Sequence, residues 1–335
     1  MDTDTTAELD LSVLIRGQSV WFFCGVAFLI CPMIHAAEPA AVDLLREGKA
    51  LIEQGTKASL PPEHYQRAET ILQRARALDP RSTAILEALA SLYAKVGKSE
   101  ECARMLRDAL AVDPRLPKAW ATLGYVQRYA GHFAASIASY RRAAEIDTSL
   151  DSHVGSEDQI AKNLIYQGDY AGTLAAHDRI FRWLSEVNQE PDEKMWFYRG
   201  VTHLYAGHAA DAVACFDASF ARDAVSIWSK FARAYRAIAN RDQEQLRKLA
   251  AEIEQLNPVD GERHYRLVHF YAQLGETTRA LNHLRVTLQN GFFAAPYLAA
   301  DPLTQPIRDA TGFRDLLERA RQRHDAFAPL TTPMR

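Results

Sequence analysis

Chemistry would show first in the spacing of histidines, cysteines and carboxylates, and that spacing offers little. The eleven histidines are scattered along the 335 residues. His203 and His208 stand five residues apart, as do His264 and His269. A step of five does not return to one face of an α-helix, so neither pair is expected to hold a metal. No glycine-rich phosphate loop, G-x-S-x-G, H-E-x-x-H or C-x-x-C is present. The carboxylates read as solvated helix faces, and no two of them mark an acid–base pair. The expectation is a chain with no catalytic, cofactor-binding or metal-binding residues, and no enzymatic activity.

The elements that would position any binding side chains are short helices in a repeating pattern. In LPKAWATLGYVQRYAGHFAASIASYRRAAEIDTSL, residues 116–150, the residues Trp120, Leu123, Gly124, Gly131, Tyr140 and Ala143 sit where two antiparallel helices need them in order to lock together. Stepping back 34 residues finds the same arrangement in Leu86, Leu89, Ala90, Gly97, Cys102, Leu106, Ala109 and Pro114. Gly97 and Gly131 fall between helices, where a left-handed backbone ends the first of them. The Asp-Pro pairs at 79–80 and 113–114 separate one unit from the next.

This pattern resembles the tetratricopeptide repeat. The resemblance implies an all-α fold, an α-solenoid in a right-handed superhelix of about seven helix-turn-helix units plus a C-terminal capping helix. Carried along the chain, the period places units at about 41–82, 83–116, 117–150, 154–187, 193–226, 227–260 and 261–294, forming a solenoid over 38–294. The first unit carries an irregular insert over 56–62. The fourth fits least well, because His177 stands where a large apolar side chain is usual. Cys102 and Cys215 take small-residue positions more than three repeat lengths apart, so no disulfide is expected between them.

In the family the first helix of each unit lines a concave groove. The corresponding positions here are Lys118, Tyr125, Arg128 and Tyr129; Lys162 and Tyr166; Lys194, Phe197 and Tyr205; Trp228, Phe231 and Tyr235; and Tyr265 and His269. Rings and cations of this kind suit a protein or extended-peptide partner. The family's carboxylate-clamping variant does not carry over, since Ala121 and Tyr125 occupy two of its positions.

A net charge of −3, with 48% hydrophobic and 24% charged residues, is that of a globular chain. It lacks the concentrated basic face that nucleic-acid binding requires. Val20–Ile34 is an apolar run of 15 residues followed by His35-Ala36-Ala37. It reads as a signal peptide or membrane anchor within 1–37, short of a spanning helix. Asp2, Asp4, Glu8 and Asp10 precede it where basic residues belong, which points to a later start near Val13 or Leu14. A periplasmic or exported location follows, with any membrane contact made through this segment alone. Residues 295–335 are read as a cap and tail; Gly291–Phe327 departs from the period and looks like the closing segment after repeat arrays in bacterial regulators. The leading functional expectation is an interaction scaffold. The alternative is a regulatory or sensor adaptor for a separately encoded enzyme or transcription regulator.

Overall fold

In the computed structural model the described residues are 39–57, 64–256 and 260–331. The apolar run before Glu38 and most of the insert expected over 56–62 lie outside them. Among the described residues there is no strand and no helix long and apolar enough to cross a membrane.

Sixteen α-helices follow one another among the described residues. They are α1 (Pro39–Lys57), α2 (Tyr65–Leu78), α3 (Thr83–Lys95), α4 (Ser99–Val112), α5 (Pro117–Tyr129), α6 (Phe133–Ile146), α7 (Leu150–Gln167) and α8 (Tyr170–Glu186). Then come α9 (Glu193–Tyr205), α10 (Ala209–Arg222), α11 (Ile227–Ala239), α12 (Gln243–Gln255), α13 (Gly261–Gln273), α14 (Thr277–Gln289), α15 (Ala295–Ala300) and α16 (Thr311–Phe327). The first fourteen pack as seven consecutive hairpins, and each odd-numbered helix also meets the next odd-numbered one. The odd helices thus form an inner layer and the even helices an outer one, the arrangement of an α-solenoid.

Small residues let each hairpin close. A Cβ on Gly200 would lie 2.5 Å from the Phe216 ring, so α9 and α10 touch only because that position has no side chain. Ala109, Ala176, Ala212, Ala250 and Ala280 are fully buried in the same way. Side-chain caps start many of the helices: Ser149, Asp169, Asp192, Ser226, Asp242 and Asp260 each accept a backbone N–H of the first turn. The Ser149 cap starts α7 at Leu150, ahead of the unit boundary read at 154. His177 fills its apolar slot in α8 fully buried, with neither ring nitrogen hydrogen-bonded. Burial pushes that imidazole down to about 4, so it sits in the core neutral.

Two features close the array on itself. Eleven of the thirteen residues of α13 are buried, so this helix is enclosed on nearly every side. The segment after α14 then turns back across the inner layer. The Phe293 N–H donates to Tyr129 O at 2.9 Å, and the Ser99 hydroxyl donates to Gly291 O at 3.2 Å. Arg323 of α16 grips both carboxylate oxygens of Glu100 at 2.9 and 3.0 Å. His324 Nδ1 lies 2.7 Å from Ala130 O, and its ring stacks on His132 at 4.1 Å. Phe292, Phe293, Tyr297, Leu298, Leu303 and Phe327 of this segment are buried.

Candidate functional site

Closure by α13 and the C-terminal segment decides where the expected groove residues lie. Nine of them are buried: Arg128, Tyr129, Lys162, Tyr166, Phe197, Phe231, Tyr235, Tyr265 and His269. Lys118 is exposed; Tyr125, Lys194, Tyr205 and Trp228 are half-buried. Phe197 packs on Phe216 and Trp228, and Phe231 on Phe270, so these rings belong to the core. Tyr235 of α11 meets His269 of α13, and Tyr265 and His269 of α13 meet Tyr297 and Asp301 of the segment that covers it. The chain's own residues cover most of what an open groove would have shown to a partner.

Six of the expected residues converge on one recess of about 400 Å³: Tyr125, Arg128, Tyr129, Lys162, Lys194 and Trp228. Lys118 lines a neighbouring hollow with Lys49 and Lys95. Tyr166 and Tyr205 line another beside Tyr297 and Asp301. The main recess also takes in Gln159, Tyr198, Asp260, Glu262 and Arg263, none of which the repeat positions pointed to. Asp158 stands behind Lys162, 3.1 Å away.

Two buried carboxylates organise the recess, which corrects the reading of all carboxylates as solvated faces. Glu262 Oε2 accepts from Arg128 Nη1 at 2.6 Å. Its Oε1 accepts from Tyr198 OH at 2.7 Å, from Arg266 Nη2 at 3.1 Å and from Tyr166 OH. Burial pushes this carboxyl up, but the guanidinium groups of Arg128 and Arg266 outweigh it and hold it well below the usual carboxylate range. Asp158 is likewise shared by Lys162 and Lys194, at 3.1 and 3.4 Å. Burial would raise it, and the two ammonium groups bring it down to about 2. Lys162 is the strained partner. Burial lowers it to about 8 despite Asp158, and its Nζ lies 4.4 Å from the centre of the Tyr198 ring.

The signal that could have found this cluster was present as Asp158/Lys162 and Glu262/Arg266, each an i, i+4 pair. Such pairs usually decorate solvent faces. What distinguishes them here is that both sit on inner-layer helices.

Asp260 caps α13 and accepts the hydroxyls of Tyr125 at 3.0 Å and Tyr129 at 2.7 Å. Arg263, exposed at the rim, lies over the Trp228 ring at 5.1 Å. The site therefore holds five cations (Arg128, Lys162, Lys194, Arg263 and Arg266) against three carboxylates (Asp158, Asp260 and Glu262). A surplus of two positive charges lies among aromatic walls. A second cluster joins it from the C-terminal side, where Asp301 accepts from Tyr205 OH at 3.1 Å and pairs with His269 Nε2 at 2.6 Å. His269 in turn meets Tyr235, and Tyr235 meets Arg266.

A family model described as tetratricopeptide repeat matches residues 117–149, the α5/α6 hairpin. Among solved structures, PilW, titled a widely conserved type IV pilus biogenesis factor, superposes with a TM-score of 0.52 at 15% identity, covering 65% of this chain and 94% of that one. PilF of Pseudomonas aeruginosa gives 0.48 at 14% identity over 65% and 91% of the two chains. TTC0263, titled a thermophilic TPR protein in Thermus thermophilus, gives 0.45 at 17% identity over 60% and 100%. A comparison with curated proteins returns no match.

Proposed function

We propose that this α-solenoid, in which residues 117–149 match the tetratricopeptide repeat, is a non-enzymatic interaction scaffold whose recess receives an acidic stretch of a protein or extended-peptide partner. The observation that carries this reading is the sharing of two buried carboxylates among four cations, Glu262 by Arg128 and Arg266 and Asp158 by Lys162 and Lys194. An incoming carboxylate would relieve the surplus charge. Lys194 and Arg263 at the mouth would meet it first, and Tyr125 and Trp228 would flank it with ring area that costs little entropy to order. The test is a titration of a fluorescein-labelled peptide rich in Glu, followed by anisotropy, beside the same peptide with Gln at every Glu. Binding of the Glu peptide that weakens with salt, with the Gln peptide inert, supports the reading. Equal binding of the two removes its basis.

A second reading, an adaptor for a separately encoded enzyme or transcription regulator, draws on the C-terminal segment that crosses the inner layer. A partner needing the rings beneath it would have to displace that segment. The same proposal puts the chain outside the cytoplasm, exported through the apolar run at 20–34. N-terminal sequencing of the native protein that still finds Asp2 would remove both the cleavage and the late start.

A further inference from the structure

The turn between α9 and α10 brings three metal-ligating side chains together. His203 lies in the last turn of α9, which ends at Tyr205. Gly207 then takes a left-handed backbone, with φ 81°. Its N–H donates to Leu204 O at 3.1 Å, and the His208 N–H donates to His203 O at 2.8 Å. This pair of bonds is the Schellman closure of a helix end, and it ties the backbones of His203 and His208 to each other. His208 is the N-cap of α10, and Asp211 falls in that helix's first turn.

The spacing that disqualified the two histidines on a single helix therefore does not apply, because the helix stops between them. One nitrogen of each imidazole and one oxygen of Asp211 all lie within 4.8 Å of one another. The ring centroids are 6.0 Å apart, and His203 Nδ1 is 4.0 Å from Asp211 Oδ2.

The same backbone turn recurs elsewhere, with Lys98 bonding to Tyr93, His132 to Gln127, Asp169 to Leu164, Asp242 to Ala237 and Glu276 to Tyr271. In none of those does a pair of histidines take the two positions. The turn is generic to the array, and the ligand set belongs to this hairpin.

His203 Nδ1 is covered and has no hydrogen-bond partner.

We propose that His203, His208 and Asp211 form a divalent transition-metal site that clamps the end of α9 to the start of α10. Two imidazoles and one carboxylate suit Zn²⁺, with a fourth position left to water. The test takes the full chain, stripped of metal with EDTA, and titrates it with ZnCl₂ by calorimetry. His208→Ala and Asp211→Asn change exposed side chains. His208 makes no side-chain cap bond, so circular dichroism should find the fold intact in both variants. The expected result is one saturable equivalent in the unaltered chain, weakened more than about tenfold in each variant. Zn²⁺ should also raise the melting temperature of the unaltered chain and leave the variants' unchanged. Absence of saturable binding, or undiminished affinity in both variants, overturns the proposal.

Discussion

Arg128 of α5 and Glu262 of α13 are 134 positions apart and meet at 2.6 Å, with 2% and 7% of their side chains exposed. The pair links the third hairpin to the seventh. It marks where the inner layer closes on itself and leaves the recess between.

Removing one partner strands the other. Glu262→Ala would leave Arg128 and Arg266 buried without their shared carboxylate. Loss of one member of a buried pair costs about 3–5 kcal/mol. Urea unfolding should show a midpoint lowered accordingly, with a smaller loss in Glu262→Gln, whose amide oxygen can still accept a hydrogen bond. A midpoint unchanged in Glu262→Ala would mean that the closure contributes nothing to stability.

Acid should act in part through His177. Its folded value of about 4 lies below the ordinary 6.5, so between these values the unfolded chain binds a proton that the folded chain does not. Stability is therefore lost as pH falls from 6.5 toward 4, by about 3 kcal/mol at most. Below that, Asp158 continues the loss as pH falls from 3.8 through about 2. His177→Leu should flatten the first part of the profile and leave the second. Melting temperatures between about pH 7 and pH 4 that run parallel in the two chains would contradict this.

Arg323 holds the C-terminal segment through Glu100 and Leu288 O while lying 4.0 Å from the centre of the Phe293 ring. Arg323→Ala should cost about 1–3 kcal/mol. The Phe293 amide, bonded to Tyr129 O, should exchange with deuterium faster, with little change in α1. Exchange rates equal to those of the unaltered chain would show the segment to be held elsewhere.

Two glycines should respond oppositely to alanine. Gly200→Ala drives a methyl to 2.5 Å from Phe216 and should cost about 1–3 kcal/mol through overpacking. Gly155, exposed on α7 with nothing within 4 Å of an added Cβ, should gain about 0.5–1 kcal/mol. Thermal melts of the two variants that shift in the same direction would sink the packing account.

The helical hairpins were legible because their signals are local: Gly and Ala at the contact positions, Asp-Pro pairs between units, and a period that repeats. Closure was not, because a repeat pattern treats every unit alike. Nothing in the types of Tyr265 or His269 says that α13 is enclosed while α5 keeps an open edge. Tyr129 and Arg128 sit at groove positions, yet whether such a position faces solvent depends on residues more than a hundred places away. Glu262/Arg266 has the spacing of an ordinary surface pair, and only the chain packed over it makes the pair a buried one. His203 and His208 failed a helix-face criterion because the helix between them ends at Tyr205.

The central claim, that surplus positive charge selects the partner, is tested most directly by reversing it. Lys194→Glu with Arg263→Glu changes two rim cations to anions and turns the excess of two positive charges into an excess of two negative ones. The affinities of a Glu-rich peptide and a Lys-rich peptide are then measured for both chains at low salt. The account predicts that the unaltered chain prefers the Glu-rich peptide and the double variant the Lys-rich one. An unaltered preference in the double variant would contradict it.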